Sequence, residues 1–430
     1  MRAEHSAFTF AADPRLPQRD LLLDEREVAR RLSASLGLRG RLHISVCERV
    51  RTKYRAGDSL RVLHRVRVEG RNYTIAARTF NAGESLRAYE RAAHAAVECA
   101  PLRAVLHDAE LETVFWTFPN DRKLAGLDAL REVPPEFARL FAPAWTHSRL
   151  VAYAPEKCAT AQCLDDDSRV VAYAKVYAGD EGRRVYHTYR ELGRQLRSVS
   201  ASLTLPRALA YDDARRTLLL EAVEGSRVAD LRAEELPRGY HQLGAALAAL
   251  HSLQAPEGLP AFERLTVGRI KRAALVIGSA RPDVRREASE LAAELERRYV
   301  TREEAHVCLH GDVHTKNFIT RGDALTLIDL DQCASGDAAA DLGSLLASLI
   351  YGAITSGASQ SSIKSLGEAF LSGYESARAL PSRASLRWHT AAALLAERAL
   401  RSVNRVRPEG LARLRELLAA ALDALREGAL

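Results

Sequence analysis

Residues 306–332 read HVCLHGDVHTKNFITRGDALTLIDLDQ and differ from the helix-rich sequence on either side. An apolar run is followed by a polar turn and then by two short segments, NFIT and ALTLIDL, which are joined by Arg321, Gly322 and Asp323. A glycine between two short apolar segments is typical of a tight β-hairpin. The stretch therefore predicts strands that present a polar loop within a region otherwise rich in helix formers.

Three oxygen-bearing side chains of this stretch have a spacing that suits phosphoryl transfer. Asp312 and Asn317 lie five residues apart on the loop, and Asp329 follows on the hairpin. Phosphoryl transfer requires a carboxylate that orients or deprotonates the attacking hydroxyl, and hard oxygen ligands for Mg²⁺. Since a loop between strands lets such side chains converge, the spacing indicates a metal-assisted transferase.

The pattern HGDxHxxN, followed by IDxD and GDAAADLGSL, resembles the aminoglycoside phosphotransferase and choline kinase family, which has a protein-kinase-like fold. The resemblance implies that Asp312 is the catalytic base. It also implies that Asn317 and Asp329 hold Mg²⁺, with Asp331 as a further metal ligand or as a hydrogen-bonding group. ATP is then the expected phosphoryl donor and Mg²⁺ the expected cofactor.

Four further residues of the motif are expected to support this centre. The resemblance implies that His310, Asp337 and Asp341 support the loop and the helix that follows it. His314 is expected either to pack within the loop or to contact the substrate. The resemblance covers roughly residues 145–425 and is best marked over 306–345.

A kinase-like fold also needs a lysine on a strand for the ATP phosphates and a carboxylate on a helix to pair with it. The alternating run VVAYAKVY, residues 170–177, offers Lys175, and the following segment RRVYHTYRELGRQL offers Glu191. We expect an ion pair between these two side chains. The backbone of Glu221 to Val223 is expected to form the hinge that reaches the adenine. One departure from the usual pattern is the phosphate-covering segment YAPEKCAT, which contains no glycine.

The first half of the chain contains a faint internal repeat. Residues 103–127 align without gaps over residues 207–231, and the strands upstream align with one small gap. Each copy is predicted to form three strands, a helix and a strand pair. Arg78 then occupies the place of Lys175, but no HGD-like loop accompanies the first copy, so Arg78 is expected only to solvate a strand edge.

The predicted fold class is therefore α+β, with a protein-kinase-like arrangement of a small antiparallel β lobe and a large helical lobe. An N-terminal α/β cap domain is predicted over residues 1–144, the ATP lobe over 145–225 and the helical lobe over 226–430. The cap is a candidate degenerate copy of the small lobe. Maltokinase-like and glucosamine-kinase-like sugar kinases are similar in carrying an extra N-terminal domain.

The composition excludes several other classes of protein. With 430 residues, of which 47% are hydrophobic and 27% charged, the chain can bury two or three cores, which argues against disorder and a disulfide miniprotein. The net charge of +7 is modest and scattered, so no nucleic-acid partner is expected. Six cysteines without zinc-type spacing, no signal-peptide pattern and no membrane-spanning run favour a cytoplasmic protein. The oligomeric state is left open.

The favoured function is phosphorylation of a hydroxyl on a small molecule, with a sugar, amino sugar or aminoglycoside as the acceptor. Two alternatives remain: a kinase for a peptide or natural-product intermediate, and a nucleotide-binding pseudokinase scaffold. Near the C-terminus, Glu397, Arg398 and Arg401 can line a cleft, but the pattern favours the solvated face of an amphipathic helix.

Overall fold

The N-terminal sheet is the first of two five-stranded antiparallel sheets in the protein. The computed structural model describes residues 10–138, 140, 144–199, 203–299 and 306–427. Its strand order is β1-β2-β3-β5-β4. Its elements are α1 (Arg19–Leu23), α2 (Glu25–Ser35), β1 (Ile44–Arg55), β2 (Ser59–Val68), β3 (Arg71–Thr79), α3 (Ser85–His94), β4 (Val105–Asp108) and β5 (Thr113–Thr117).

The second sheet follows two short helices, α4 (Asp128–Arg131) and α5 (Pro135–Ala138). Its elements are β6 (His147–Ala154), β7 (Cys158–Leu164), β8 (Val170–Tyr177), α6 (Glu181–Val199), β10 (Ala208–Asp212) and β11 (Thr217–Glu221), with the short β9 (Leu203–Thr204) before β10. The strand order, β6-β7-β8-β11-β10, is the same as in the N-terminal sheet. The helix lies after the third strand in both.

The strand register also agrees with the internal repeat. Arg78 on β3 lies opposite Val114 on β5, and Lys175 on β8 lies opposite Leu218 on β11. Leu218 is the residue that the gapless alignment places over Val114. Two sheets with one topology and one register are what a duplicated segment predicts.

The two sheets pack face to face through a shared core. On β8, Ala174 and Val176 contribute to this core together with Ala76 and Trp116 of the N-terminal sheet. Because successive side chains of a strand point to opposite faces, Lys175 lies on the other face of β8, which carries α6 and meets the large lobe.

The large lobe is mostly helical, as predicted. Two small sheets interrupt it, one of four short strands that includes β9 and one of two strands. The turn at Gly322, which joins two strands of the larger of these sheets, has a positive φ of 64°. The elements are β12 (Ser226–Arg227), α7 (Leu236–His251), α8 (Val267–Ala280), α9 (Arg285–Arg297), β13 (Val307–Leu309), β14 (Phe318–Arg321), β15 (Ala324–Leu327), β16 (Ala334–Gly336), α10 (Ala338–Ser356), α11 (Gln360–Glu375), α12 (Arg383–Ala393), α13 (Leu400–Arg405), α14 (Pro408–Ala412) and α15 (Leu414–Arg426). A π-helical segment, Leu394–Ala399, joins α12 to α13.

Helix α10 is long and apolar enough to cross a membrane by length and composition, which the sequence reading overlooked. It is the one such helix among the described residues, and 56% of its apolar window is buried inside the fold. Asp341, near its start, is buried and hydrogen-bonded to the loop after β13. The helix therefore packs as a core element of the large lobe.

Candidate active site

The loop that follows β13 is held in shape by His310 and Asp341. The His310 Nε2 atom donates to the carbonyl of Ile328 at 3.0 Å, so its Nδ1 atom is left to accept from the Asp312 backbone N–H at 3.2 Å. The backbone N–H groups of His310 and Gly311 donate to the two oxygens of the Asp341 carboxylate, at 2.7 and 2.9 Å. Gly311 has a φ of 77°, and a Cβ there would lie 2.0 Å from the Gln332 carbonyl oxygen.

A buried chain of polar groups extends this support into the helices. The Asp341 oxygen that accepts from the His310 N–H, Oδ2, also accepts from His251 Nε2 at 3.2 Å, and His251 Nδ1 lies 3.0 Å from the Tyr374 hydroxyl. Asp337 caps α10 through the Ala339 N–H at 2.8 Å and accepts from the Ser385 hydroxyl at 2.7 Å. His310, Asp337 and Asp341 thus all form hydrogen bonds around this loop or at the start of α10.

Asp312 lies among cationic side chains at the mouth of the loop. Its Oδ1 atom is 3.5 Å from Arg401 and 3.6 Å from Arg264, and its Oδ2 atom is 3.9 Å from His314 Nε2. Burial raises the pKa of Asp312, but the charges of Arg401 and Arg264 outweigh burial and hold it well below its usual value. Burial lowers the pKa of His314, whose Nδ1 atom has no hydrogen-bond partner among the described residues.

Asn317 and Asp329 lie beside the same loop. The Asn317 Nδ2 group donates to the Asp312 carbonyl at 3.2 Å, which leaves its amide oxygen available to a ligand. Asp329 adopts a left-handed conformation, with φ 65° and ψ 61°. This conformation is stabilised by Tyr189 on α6, whose hydroxyl accepts from the backbone N–H groups of Asp329 at 2.9 Å and Leu330 at 3.4 Å. The sequence reading did not identify Tyr189.

Lys175 joins the second sheet to the large lobe. Its Nζ atom donates to Asp329 Oδ1 at 2.7 Å and to Asp331 Oδ1 at 2.8 Å. The Tyr177 hydroxyl donates to the same Asp331 oxygen at 2.9 Å. Burial of the ammonium lowers its pKa, yet the charges around it, those of Asp331 and Asp329 included, keep the pKa of Lys175 above its ordinary value.

The predicted ion pair between Lys175 and Glu191 is wrong in this structure. The Glu191 carboxylate instead accepts from Arg194 at 2.7 Å and from Gln195 at 3.0 Å, on the outer side of α6. Leu192 and Tyr189 occupy the buried face of that helix. Because neighbouring helix positions are about 100° apart, Glu191 points away from the site, and Asp331 takes over the contact with the lysine.

The expectation for Arg78 is also wrong. Arg78 lies on a central strand of the N-terminal sheet and forms an ion pair with Glu156, in the turn between β6 and β7. Arg61 at 3.2 Å and Arg122 at 2.7 Å pair with the same carboxylate, whose side chain is only 4% exposed. The glycine-free segment that is expected to cover the phosphates is thus a short turn held by Arg61 and Arg78 of the N-terminal sheet and by Arg122, which follows that sheet.

The charged residues at the end of α12 are buried rather than solvated, which corrects a third expectation. Glu397 accepts from Ser344 at 2.6 Å and pairs with Arg264 at 2.8 Å. Arg398 donates to the Ser344 carbonyl at 2.8 Å. These residues lie in the π-helical segment, and such segments are frequent at functional sites. A regular helical period does not predict that Glu397 and Arg398 are buried, because a π-helical turn changes which side chains face inward.

The hinge residues lie between the second sheet and the large lobe. Glu221 is the last residue of β11; its side chain pairs with Arg207 at 3.1 Å, and its backbone N–H donates to the Arg207 carbonyl at 2.9 Å. Val223 follows in the segment that leads to β12. Their contact with adenine stays a prediction.

The donor set fits a magnesium ion bound together with phosphate groups. Asn317 and Asp329 supply an amide oxygen and a carboxylate, which are ligands that Mg²⁺ prefers, and nucleotide phosphates usually complete its octahedron. No group of three or more His, Cys, Asp or Glu side chains in metal-binding geometry occurs in the described part of the chain.

A large open cleft in the described part of the chain is separate from this centre. It has a volume of about 1190 Å³ and lies behind α6, between Arg184, Leu203 and Gly258. Asp312, Asn317 and Lys175 do not line it. The catalytic candidates lie instead at the opening between the second sheet and the large lobe.

Fold and site together define a phosphotransferase with a protein-kinase-like fold. The family model described as "Phosphotransferase enzyme family" matches residues 159–389, which is more than half of the chain. The chain therefore belongs to the phosphotransferase enzyme family. It is an ATP-dependent enzyme of the small-molecule kinase class. The N-terminal sheet lies outside the matched region.

Solved structures of antibiotic kinases are similar to the chain. A thermostable mutant of aminoglycoside phosphotransferase APH(4)-Ia, in ternary complex with ADP and hygromycin B, is 14% identical with a TM-score of 0.50 and covers 68% of this chain and 98% of its own. Amicoumacin kinase hAmiN in complex with AMP-PNP, Ca²⁺ and Ami is 14% identical with a TM-score of 0.46, covering 69% and 91%. Aminoglycoside phosphotransferase APH(3'')-Id from Streptomyces rimosus is 24% identical with a TM-score of 0.41, covering 56% and 90%. No curated protein matches the chain.

Proposed function

We propose that the protein transfers the γ-phosphoryl group of Mg²⁺-bound ATP to a hydroxyl of a sugar-like small molecule, with Asp312 as the catalytic base. The observation that carries this proposal is the convergence of Asp312, Asn317, Asp329 and Lys175 from two lobes. Asp329 is near enough to Asp312 for the two charges to act on each other. A hydroxyl that approaches Asp312 would therefore meet phosphates held by Lys175 and Asp329.

Asp312 has the protonation state that the reaction needs. Because the pKa of Asp312 is held well below its usual value, the carboxylate is ionised at neutral pH and accepts a hydrogen bond from the acceptor hydroxyl. As that oxygen bonds to the γ-phosphorus, the bond from phosphorus to the β–γ bridging oxygen breaks and ADP leaves. The hydroxyl proton passes to Asp312. A carboxylate with so low a pKa serves chiefly to orient the hydroxyl, and takes the proton late.

The bound metal supplies charge neutralisation on the phosphates, and Asn317 and Asp329 are the residues that would hold it. Lys175 positions the α and β phosphates, as a lysine on this strand does in kinases. In the structure its ammonium lies between Asp329 and Asp331. The lysine therefore also keeps these two carboxylates from repelling each other.

Replacing the carboxylate of Asp312 tests the proposal. We expect Asp312→Asn to lower kcat by about 10²–10⁴-fold, while calorimetry shows ATP binding close to that of the wild type. Asp323→Asn is the matched control, because Asp323 is exposed on the β14–β15 turn and pairs only with Arg238. ATP consumption is followed over sugars, amino sugars, aminoglycosides and choline.

Two results would contradict the proposal. Turnover by Asp312→Asn at the wild-type rate would remove Asp312 from the catalytic role. Tight ATP binding by the wild type without turnover of any acceptor would favour the nucleotide-binding scaffold instead. A peptide or natural-product acceptor would give ATP consumption only with such compounds, and Asp312 would keep its role.

A further inference from the structure

A group of basic side chains from the N-terminal sheet meets another from the large lobe beside Asp312. Strand β1 packs against helix α13. Arg401 and Arg405 lie one turn apart on α13, and Arg401 is the residue 3.5 Å from Asp312 Oδ1. Side chains four positions apart share a helix face, so Arg405 continues the row that begins at the catalytic loop.

The facing strand presents two further cations. On β1, Thr52 and Tyr54 are buried in the core under α1 and α2. Since neighbouring side chains of a strand alternate between its faces, Arg51 and Lys53 point to the opposite face. Arg51 is close enough to Arg401 for their charges to interact, and Lys53 is similarly close to Arg405.

These cations have no acidic partners. Neither Arg51, Lys53, Arg405 nor Arg407 forms an ion pair or a hydrogen bond with a carboxylate in the part of the chain that the structure describes. Burial and the nearby cations lower the pKa of Lys53 to about 8 and that of Arg405 to about 10. Half-buried, mutually repelling charges destabilise the free protein, and an anion between them would relieve the repulsion.

Other arginines near the site are paired, which makes this group distinctive. Arg61, Arg78 and Arg122 share Glu156, and Arg264 pairs with Glu397. Those four arginines form ion pairs within the fold. The group formed by Arg51, Lys53, Arg405 and Arg407 is named here the basic cluster; Arg407 follows α13, and its charge acts on Arg51 and Arg405. The cluster begins one helical turn from Arg401, the arginine beside Asp312, so an acceptor bound at Asp312 can extend towards it.

We infer that the acceptor carries an anionic group, such as a carboxylate, phosphate or sulfate, which the basic cluster binds while the hydroxyl of the acceptor points to Asp312. This inference rests on the proposed function and narrows its substrate class. A polycationic aminoglycoside would be repelled by the same side chains. The N-terminal sheet then contributes to substrate choice through β1.

Binding measurements test the inference without turnover. The full-length protein is saturated with Mg²⁺ and AMP-PNP and titrated by calorimetry with glucose 6-phosphate, gluconate, glucose and glucosamine. We expect the two anions to bind at least about tenfold more tightly than glucose, since charged hydrogen bonds contribute about 1.5–3 kcal/mol each. Glucosamine should bind most weakly.

Substitutions then locate the effect. Arg51→Gln combined with Arg405→Gln should weaken anion binding by at least about tenfold, while Arg405→Lys should restore most of it. Arg286→Gln is the control for the loss of a positive charge elsewhere, because Arg286 is 80% exposed on α9. Equal melting temperatures of the variants show that folding is unaffected.

The results separate this inference from the proposed function. Equal binding of glucose and the anions, or an unchanged affinity in the double variant, would overturn the inference. A rise in the Kd for AMP-PNP without a change for the anions would also overturn it, because the cluster would then serve the nucleotide. Arginine-dependent anion binding without any ATP turnover would contradict the proposed function alone.

Discussion

The N-terminal sheet and the second sheet have the same topology and each carries a cation on its third strand, yet the two cations bind different partners. Lys175 on β8 contacts Asp329 and Asp331, in the segment of the large lobe that follows β15. Arg78 on β3, in the same register, contacts Glu156 on the turn of the other sheet. The two sheets differ in what packs on the face that carries the cation. The large lobe packs on the Lys175 face of the second sheet, whereas the second sheet itself packs on the Arg78 face of the N-terminal sheet.

The comparison shows how an additional copy of a fold can support the original one. The turn held by Arg78 is the segment expected to cover the ATP phosphates. Glu156 has a positive φ of 59°, and its backbone N–H donates to Asp121 at 2.9 Å, as does the Tyr153 hydroxyl at 2.6 Å. Where other proteins use glycine for such a conformation, this chain fixes it with side chains from the N-terminal sheet.

The largest expected effect comes from exchanging the two cations for methionine. Lys175→Met should lower kcat/KM by about 10²–10³-fold, since a preorganised donor to the phosphates is lost and Asp329 and Asp331 repel each other. Arg78→Met, its counterpart in the other copy, should retain most of the activity because Arg61 and Arg122 still hold Glu156. Steady-state kinetics with saturating Mg²⁺ compares the two variants. Equal losses of activity would show that both copies take part in the chemistry.

Glu156 offers the next largest effect, this time on stability. Glu156→Gln removes the one carboxylate shared by three arginines, and breaking so buried a set should lower the free energy of unfolding by about 2–4 kcal/mol. Glu48→Gln is the matched control in the same part of the molecule, because Glu48 is 53% exposed and pairs only with Arg65. It should change stability by about 0.5 kcal/mol or less. Urea unfolding measures both, and a large loss for Glu48→Gln would indicate a general effect of charge.

The same carboxylate predicts a pH dependence. Burial raises the pKa of Glu156, but hydrogen bonds from Arg122 and the charges of Arg78 and Arg61 outweigh burial, so the pKa is lowered on folding. At intermediate pH the unfolded chain then binds more protons than the folded chain, so the free energy of unfolding decreases as the pH is lowered. The difference in the free energy of unfolding between the wild type and Glu156→Gln should be largest above about pH 4.3 and should decrease as the pH falls below that value. If this difference stays constant down to pH 3, the arginines do not stabilise the fold through the charge of Glu156.

The sequence predicted the fold well because its signals are local, and the catalytic roles of the loop after β13 stay predictions. The hairpin at Gly322, helix α6 and the alternation around Lys175 follow from turn chemistry and periodicity. The partners of these residues depend on packing between lobes, which no local pattern encodes. The pairing of Arg78 with Glu156 joins residues 78 positions apart in two different sheets. The inward turn of Glu397 depends on a π-helical segment, and a regular helical period cannot reveal it.

The smallest expected effect concerns the helix that both copies place after their third strand. Glu191→Gln should change kcat and the KM for ATP by no more than about twofold, because its carboxylate is exposed and pairs only with Arg194 and Gln195 on its own helix. Tyr189→Phe, on the inward face of α6, is the contrasting variant. It leaves the Asp329 N–H without an acceptor and should lower kcat by about tenfold. If Glu191→Gln instead lowers activity as strongly as Lys175→Met, α6 must rotate when ATP binds, and the lysine would exchange Asp331 for the helix carboxylate during the reaction.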